Sequence, residues 1–138
     1  MIGLKTLIYT AGIIEVLVGL LHFFMPLFFD KSEIFSRLPM VEMDYLLLVT
    51  YAVGILLVAF GATTILFARR HKALYEILYL YLMIQTILWT ARVILELLYP
   101  VGLEMFTLKP FTIIVLPGLI FEWGLFLYIT ILARRKLS

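Results

Sequence analysis

Apolar residues run almost unbroken through four stretches of this chain, 4–26, 45–68, 76–99 and 111–133, and the segments between them hold most of the charge. Crossing the hydrocarbon of a bilayer as a helix takes about 20 such residues. The pattern therefore predicts an all-α fold, a four-helix transmembrane bundle with short loops, forming a single domain over residues 1–138. A cleaved signal peptide is the rival reading of the first stretch. Its apolar region would be about 7–15 residues long and would end on small residues. Phe24, Met25 and Pro26 follow instead, so a retained span is expected.

The polar residues inside these runs recur with helical spacing. In the third run Gln85, Trp89, Arg92 and Glu96 are separated by four, three and four residues, the spacing of one helix face. In the first, Gly12, Glu15, Gly19, His22 and Pro26 make a second face of polar and small residues. Glycines there allow another helix to come close. The second run carries no charge. Its Tyr51, Gly54, Val58 and Gly61 share a face suited to packing, with Tyr51 as its polar candidate. The fourth has Pro117 and Gly118 in its first half and Glu122 near its centre. Residues 27–44 hold four acids against two bases, yet keep enough Phe, Leu, Ile and Met for an interfacial helix on the membrane surface. An ordinary amphipathic loop fits the same pattern.

Composition sharpens the class. Of 138 residues 64% are hydrophobic and 14% charged, against about 25% charged in soluble domains. The mean hydropathy is +1.13. There is no cysteine, which removes disulfides, thiolate metal sites, iron–sulfur clusters and thiol catalysis. The net charge of +2 comes from basic residues at the ends of apolar runs, and no nucleic-acid-binding patch is visible. Lys5, the basic turn at 69–72 and the tail at 134–136 fall on one side of a four-span topology. Basic loops stay in the cytoplasm, so both termini are expected there, in a multi-pass integral membrane protein whose expected setting is a prokaryotic inner membrane.

Depth follows from the helix rise of 1.5 Å per residue. Counted from the cytoplasmic ends, Glu15, Gln85 and Glu122 all lie roughly 15–17 Å deep, at the midplane, while His22 and Arg92 lie about 25 Å deep with Glu96 beyond them. A midplane carboxylate needs a proton, a partner or water. The expected arrangement has Arg92 bending inward to pair with Glu122 or Glu15, the other carboxyl being protonated or hydrogen-bonded to Gln85. A simple Arg–Glu pair that fixes which helices meet is the alternative to a functional site. A metal site built from Glu15, His22, Glu96 and Glu122 is not expected, because their depths differ by about 15 Å. Two histidines at opposite membrane faces, His22 and His71, do not make a haem site. No cofactor is assigned.

Gly19 ahead of the closing Pro26, the glycines of the second span, Arg92 in the third, and Glu122-Trp123-Gly124 after the Pro/Gly entry of the fourth give a chain that resembles the DoxX-like group of small four-helix membrane proteins. The resemblance implies an association with membrane sulfur and quinone redox systems, as an accessory subunit as readily as an enzyme. The expected function is binding of an amphiphile, a quinone or a lipid, in an intramembrane cavity near Glu15, His22, Gln85, Trp89, Arg92, Glu96 and Glu122. The alternatives are an intramembrane acid/base enzyme using Glu15 or Glu122 with Arg92, and a structural subunit of a larger complex. Expected partners are membrane lipids, a quinone, and either a second copy or a larger membrane assembly.

Overall fold

The computed structural model is described over residues 3–29, 38–70, 75–98 and 109–137, the side chains of 28–29, 109–115 and 136–137 excepted. Five helices follow in order: α1 Leu4–Phe24, the short α2 Pro26–Phe29, α3 Met40–Arg70, α4 Tyr75–Leu98 and α5 Lys109–Leu137. The four long ones are long and apolar enough to cross a membrane. The chain is a four-helix, all-α, multi-pass membrane protein.

Proline sets two of the helix ends. Pro26 has no N–H to continue α1, which stops at Phe24; the Met25 N–H still donates to the Leu21 carbonyl at 3.1 Å before α2 begins. The Pro39 carbonyl receives the N–H groups of Glu42 and Met43 at 3.0 and 3.1 Å and so opens α3. Glu42 in that first turn complements the positive end of the helix dipole. The expected span at 45–68 thus sits within a longer helix of 31 residues, about 46 Å at 1.5 Å per residue. Hydropathy marks the hydrocarbon, and the helix outruns it through Glu42 and Asp44. The rest of the expected interfacial helix, at 30–37, lies outside the described residues.

The helices pack as two antiparallel pairs, α1 with α3 and α4 with α5, joined through contact of α1 with α5. The first pair is a glycine seam. A Cβ placed on Gly61 would lie 2.6 Å from the Gly12 carbonyl oxygen, and one on Gly19 would lie 2.8 Å from the Val58 nitrogen and 2.9 Å from the Gly54 oxygen. Gly12 meets Gly61, and Gly19 meets Gly54, seven residues apart on each helix. Without side chains between them the two backbones come into contact, which in lipid replaces the hydrophobic drive that holds helices together in water.

Hydroxyls join the second pair. Thr86 and Thr130 are 2.9 Å apart, Trp123 Nε1 donates to Thr90 at 2.8 Å, and the Tyr75 hydroxyl donates to the Ala133 carbonyl at 3.1 Å. Buried Trp89 stacks on Phe126 with ring centroids 6.5 Å apart. Leu17, Leu21, Leu56, Leu97 and many other large aliphatic side chains are exposed. In a membrane, that surface faces lipid.

Candidate functional site

Where the two helix pairs meet, α1 and α5 each bring a glutamate to the interior. Glu15 is fully buried and Glu122 is 2% exposed. The two carboxyls are electrostatic neighbours. Thr64 of α3 bonds Glu15, and Gln85 of α4 reaches the same group through the Tyr81 hydroxyl. Glu15 and Gln85 are therefore joined through Thr64 and Tyr81, Glu122 is buried on α5 where it packs with α1, and Trp89 stands one turn beyond Gln85 against Phe126.

The carboxyls are poorly satisfied. Glu15 Oε2 receives the Thr64 hydroxyl at a long 3.3 Å, and that hydroxyl also stands 2.9 Å from the Phe60 carbonyl and 2.9 Å from the Tyr81 hydroxyl. A threonine has one hydroxyl proton for these acceptors. Tyr81 in turn donates to the Phe60 carbonyl at 2.7 Å and accepts from Gln85 Nε2 at 2.8 Å. The donors around Glu15 are thus largely engaged with one another. Glu15 Oε1 and Glu122 Oε1 are buried without any hydrogen-bond partner. Leaving such a group unsatisfied costs about 1–3 kcal/mol.

Arg92 corrects the expectation drawn from the sequence. The ion pair it makes is with Glu96, one turn further along α4, at 2.7 Å, and not with Glu122 or Glu15. The Arg92 side chain is 42% exposed while that of Glu96 is buried at 7%. A partner on the same helix needs no inward bend of the arginine, and the outward position keeps part of the guanidinium in contact with solvent or headgroups. The contact is an ion pair without hydrogen-bond alignment, since Glu96 Oε2 has no hydrogen-bond partner. Arg92→Leu should cost about 1 kcal/mol, above the median for exposed pairs because Glu96 is left buried. Glu96→Gln should restore the loss and Glu122→Gln should not, as detergent melts of the two double variants would report. Rescue by Glu122→Gln would reinstate the inward pair.

His22 is not part of the carboxyl group either. Its Nδ1–H donates to the Val18 carbonyl of its own helix at 2.8 Å, and its Cβ lies beside Gly54, at the α1–α3 seam. It is two turns from Glu15, about 10 Å along the axis. Thr64 and Tyr81 are the members that the sequence reading misses. Thr64 continues the Gly54–Gly61 face by a step of three, and Tyr81 precedes Gln85 by four. Both spacings were visible.

The site and fold define a small polytopic helical bundle with a buried pair of acids. No family model, curated protein or solved structure matches the chain.

Proposed function

We propose that this protein binds an amphiphilic small molecule, a quinone or a lipid, with the polar head at Glu15 and Glu122 and the apolar body among the helices, as an accessory subunit of a membrane redox system. The observation that carries the reading is the pair of neighbouring, buried and unpartnered carboxyl oxygens. A chain under selection for packing alone would satisfy them or replace them with apolar groups. A pocket of this kind needs an apolar lining and a few convergent polar groups, here Gln85, Thr64 and Tyr81 with Trp89. The redox setting is what the resemblance to DoxX-like proteins implies. An enzyme that uses Arg92 as its anion clamp is less favoured, because Arg92 is engaged with Glu96.

Entry fits the side between α3 and α4. Those helices are linked by the hydroxyls of Thr64 and Tyr81 and the Phe60 carbonyl, and side chains can part where a glycine seam cannot. A thermal-shift panel of quinones, quinols and phospholipids tests the reading. A ligand at 100 times its Kd adds about 2.7 kcal/mol to stability, so at least one class should raise the melting temperature of the parent and fail to do so for Glu15→Gln/Glu122→Gln. A panel in which nothing shifts the melt, or shifts both proteins alike, contradicts it.

Orientation belongs to the same proposal, with both termini and the 69–72 turn in the cytoplasm. Arg70→Cys should then react with an impermeant thiol reagent only from the cytoplasmic side, and Met40→Cys, at the exposed start of α3, only from the other. The reverse labelling would invert the topology.

A further inference from the structure

Among the described residues no basic side chain makes an ion pair with Glu15 or Glu122. Arg92 is occupied by Glu96, Lys5 stands 5.8 Å from the Tyr9 ring, and the His22 Nδ1–H is given to Val18. The site therefore holds between zero and two negative charges, and among the described residues no positive charge offsets them. A buried charge without a counter-charge is strongly disfavoured. When either carboxyl is ionised, a cation entering the site is attracted and an anion is repelled.

We propose that the head group this site selects is positively charged: of the two amphiphile classes above the ligand is a lipid, one with an onium or ammonium centre on an apolar body, and not a neutral quinone. This rests on the binding site proposed above and names its ligand chemistry. Two features speak for an organic cation over a metal ion. Among the described residues no three His, Asp or Glu side chains gather around one point, whereas hard metal ions take six or more oxygens, or keep several waters that an apolar interior does not supply. Tyr81, whose hydroxyl meets the Thr64 hydroxyl beside Glu15, and buried Trp89 also give the surroundings an aromatic, apolar character that suits an organic body over a bare ion. A fatty-acid carboxylate or an anionic phospholipid head has no favourable place beside the two glutamates.

The test uses two ions of one shape and opposite charge, tetraphenylphosphonium and tetraphenylborate, titrated into the full-length protein in a non-ionic detergent, with ubiquinol as a neutral hydrogen-bond donor. The phosphonium should bind and raise the melting temperature of the parent, and Glu15→Gln or Glu122→Gln should each weaken its Kd at least about tenfold, or 1.4 kcal/mol. The borate should not bind. Equal binding of both ions, or phosphonium binding that survives in the double variant Glu15→Gln/Glu122→Gln, overturns the cation selectivity. If ubiquinol binds in a glutamate-dependent way and the phosphonium does not, this inference falls and the binding site stands. If no probe and no member of the wider panel binds, both fall. Each substitution replaces a carboxyl by an isosteric amide, and circular dichroism of the variants confirms that loss of binding is not loss of fold.

Discussion

Gly61→Leu should separate α1 from α3 and be the most damaging single substitution in the chain. Even a methyl group there would sit 2.6 Å from the Gly12 carbonyl oxygen and 2.7 Å from the Val16 nitrogen. Both are backbone atoms of a helix, so neither can rotate aside. Relief comes only if the helices move apart, and that undoes the matching contact of Gly19 with Gly54 along the same seam. Overpacking a tight core costs about 1–3 kcal/mol; alanine at position 61 should fall in that range and leucine above it. Gly124 supplies the control, because a Cβ there meets nothing within 4 Å. Gly124→Ala should be neutral or gain up to about 1 kcal/mol from helix propensity. Unfolding of the three variants in a dodecyl sulfate titration gives the comparison. Equal tolerance at positions 61 and 124 would show that the seam is not a close contact.

What was legible in the sequence, and what was not, divides along physical lines. Hydropathy found all four spans, because burial in hydrocarbon leaves no freedom in composition over about 20 residues. The glycine faces were legible because only glycine permits backbone contact at that spacing. Counting rise per residue placed Glu15, Gln85 and Glu122 at one depth; the structure joins Glu15 to Gln85 through Thr64 and Tyr81 and buries Glu122 on α5. The partner of Arg92 was misjudged although Glu96 stood four residues away on the same face. A local pair costs no helix rearrangement and so competes well against one across the bundle. Thr64 and Tyr81 were missed for a different reason, although their spacings were visible. Threonines in spans commonly return their hydroxyl to the carbonyl four residues back, as Thr50, Thr63, Thr86 and Thr90 do here. Thr64 does the same to Phe60 and also reaches Glu15 and Tyr81. No sequence pattern separates the two behaviours.

Replacing the two glutamates with leucine should make the empty protein more stable. Each carries a buried oxygen without a partner, and removal of an unsatisfied polar group recovers about 1–3 kcal/mol where the new side chain fits. Exchange of buried charged groups for packed apolar ones commonly gains about 1–4 kcal/mol. Groups that hold helices together behave in the opposite way. Thr130, bonded to Thr86 and to the Leu82 carbonyl, should lose about 1 kcal/mol when changed to valine. A residue whose removal stabilises the fold is one retained for something other than the fold, the pattern expected of binding and catalytic sites.

That contrast gives the most direct measurement of the central claim, that the Glu15–Glu122 pair is a binding site and not structural glue. It is the equilibrium unfolding free energy of ligand-free Glu122→Leu, and of Glu15→Leu/Glu122→Leu, against the parent in the same bicelles. The account predicts that both variants unfold at higher denaturant than the parent, with the double variant highest and unresponsive to any ligand. Variants less stable than the parent by the several kcal/mol of a broken buried network would show that the two carboxyls hold the bundle together, and would contradict it.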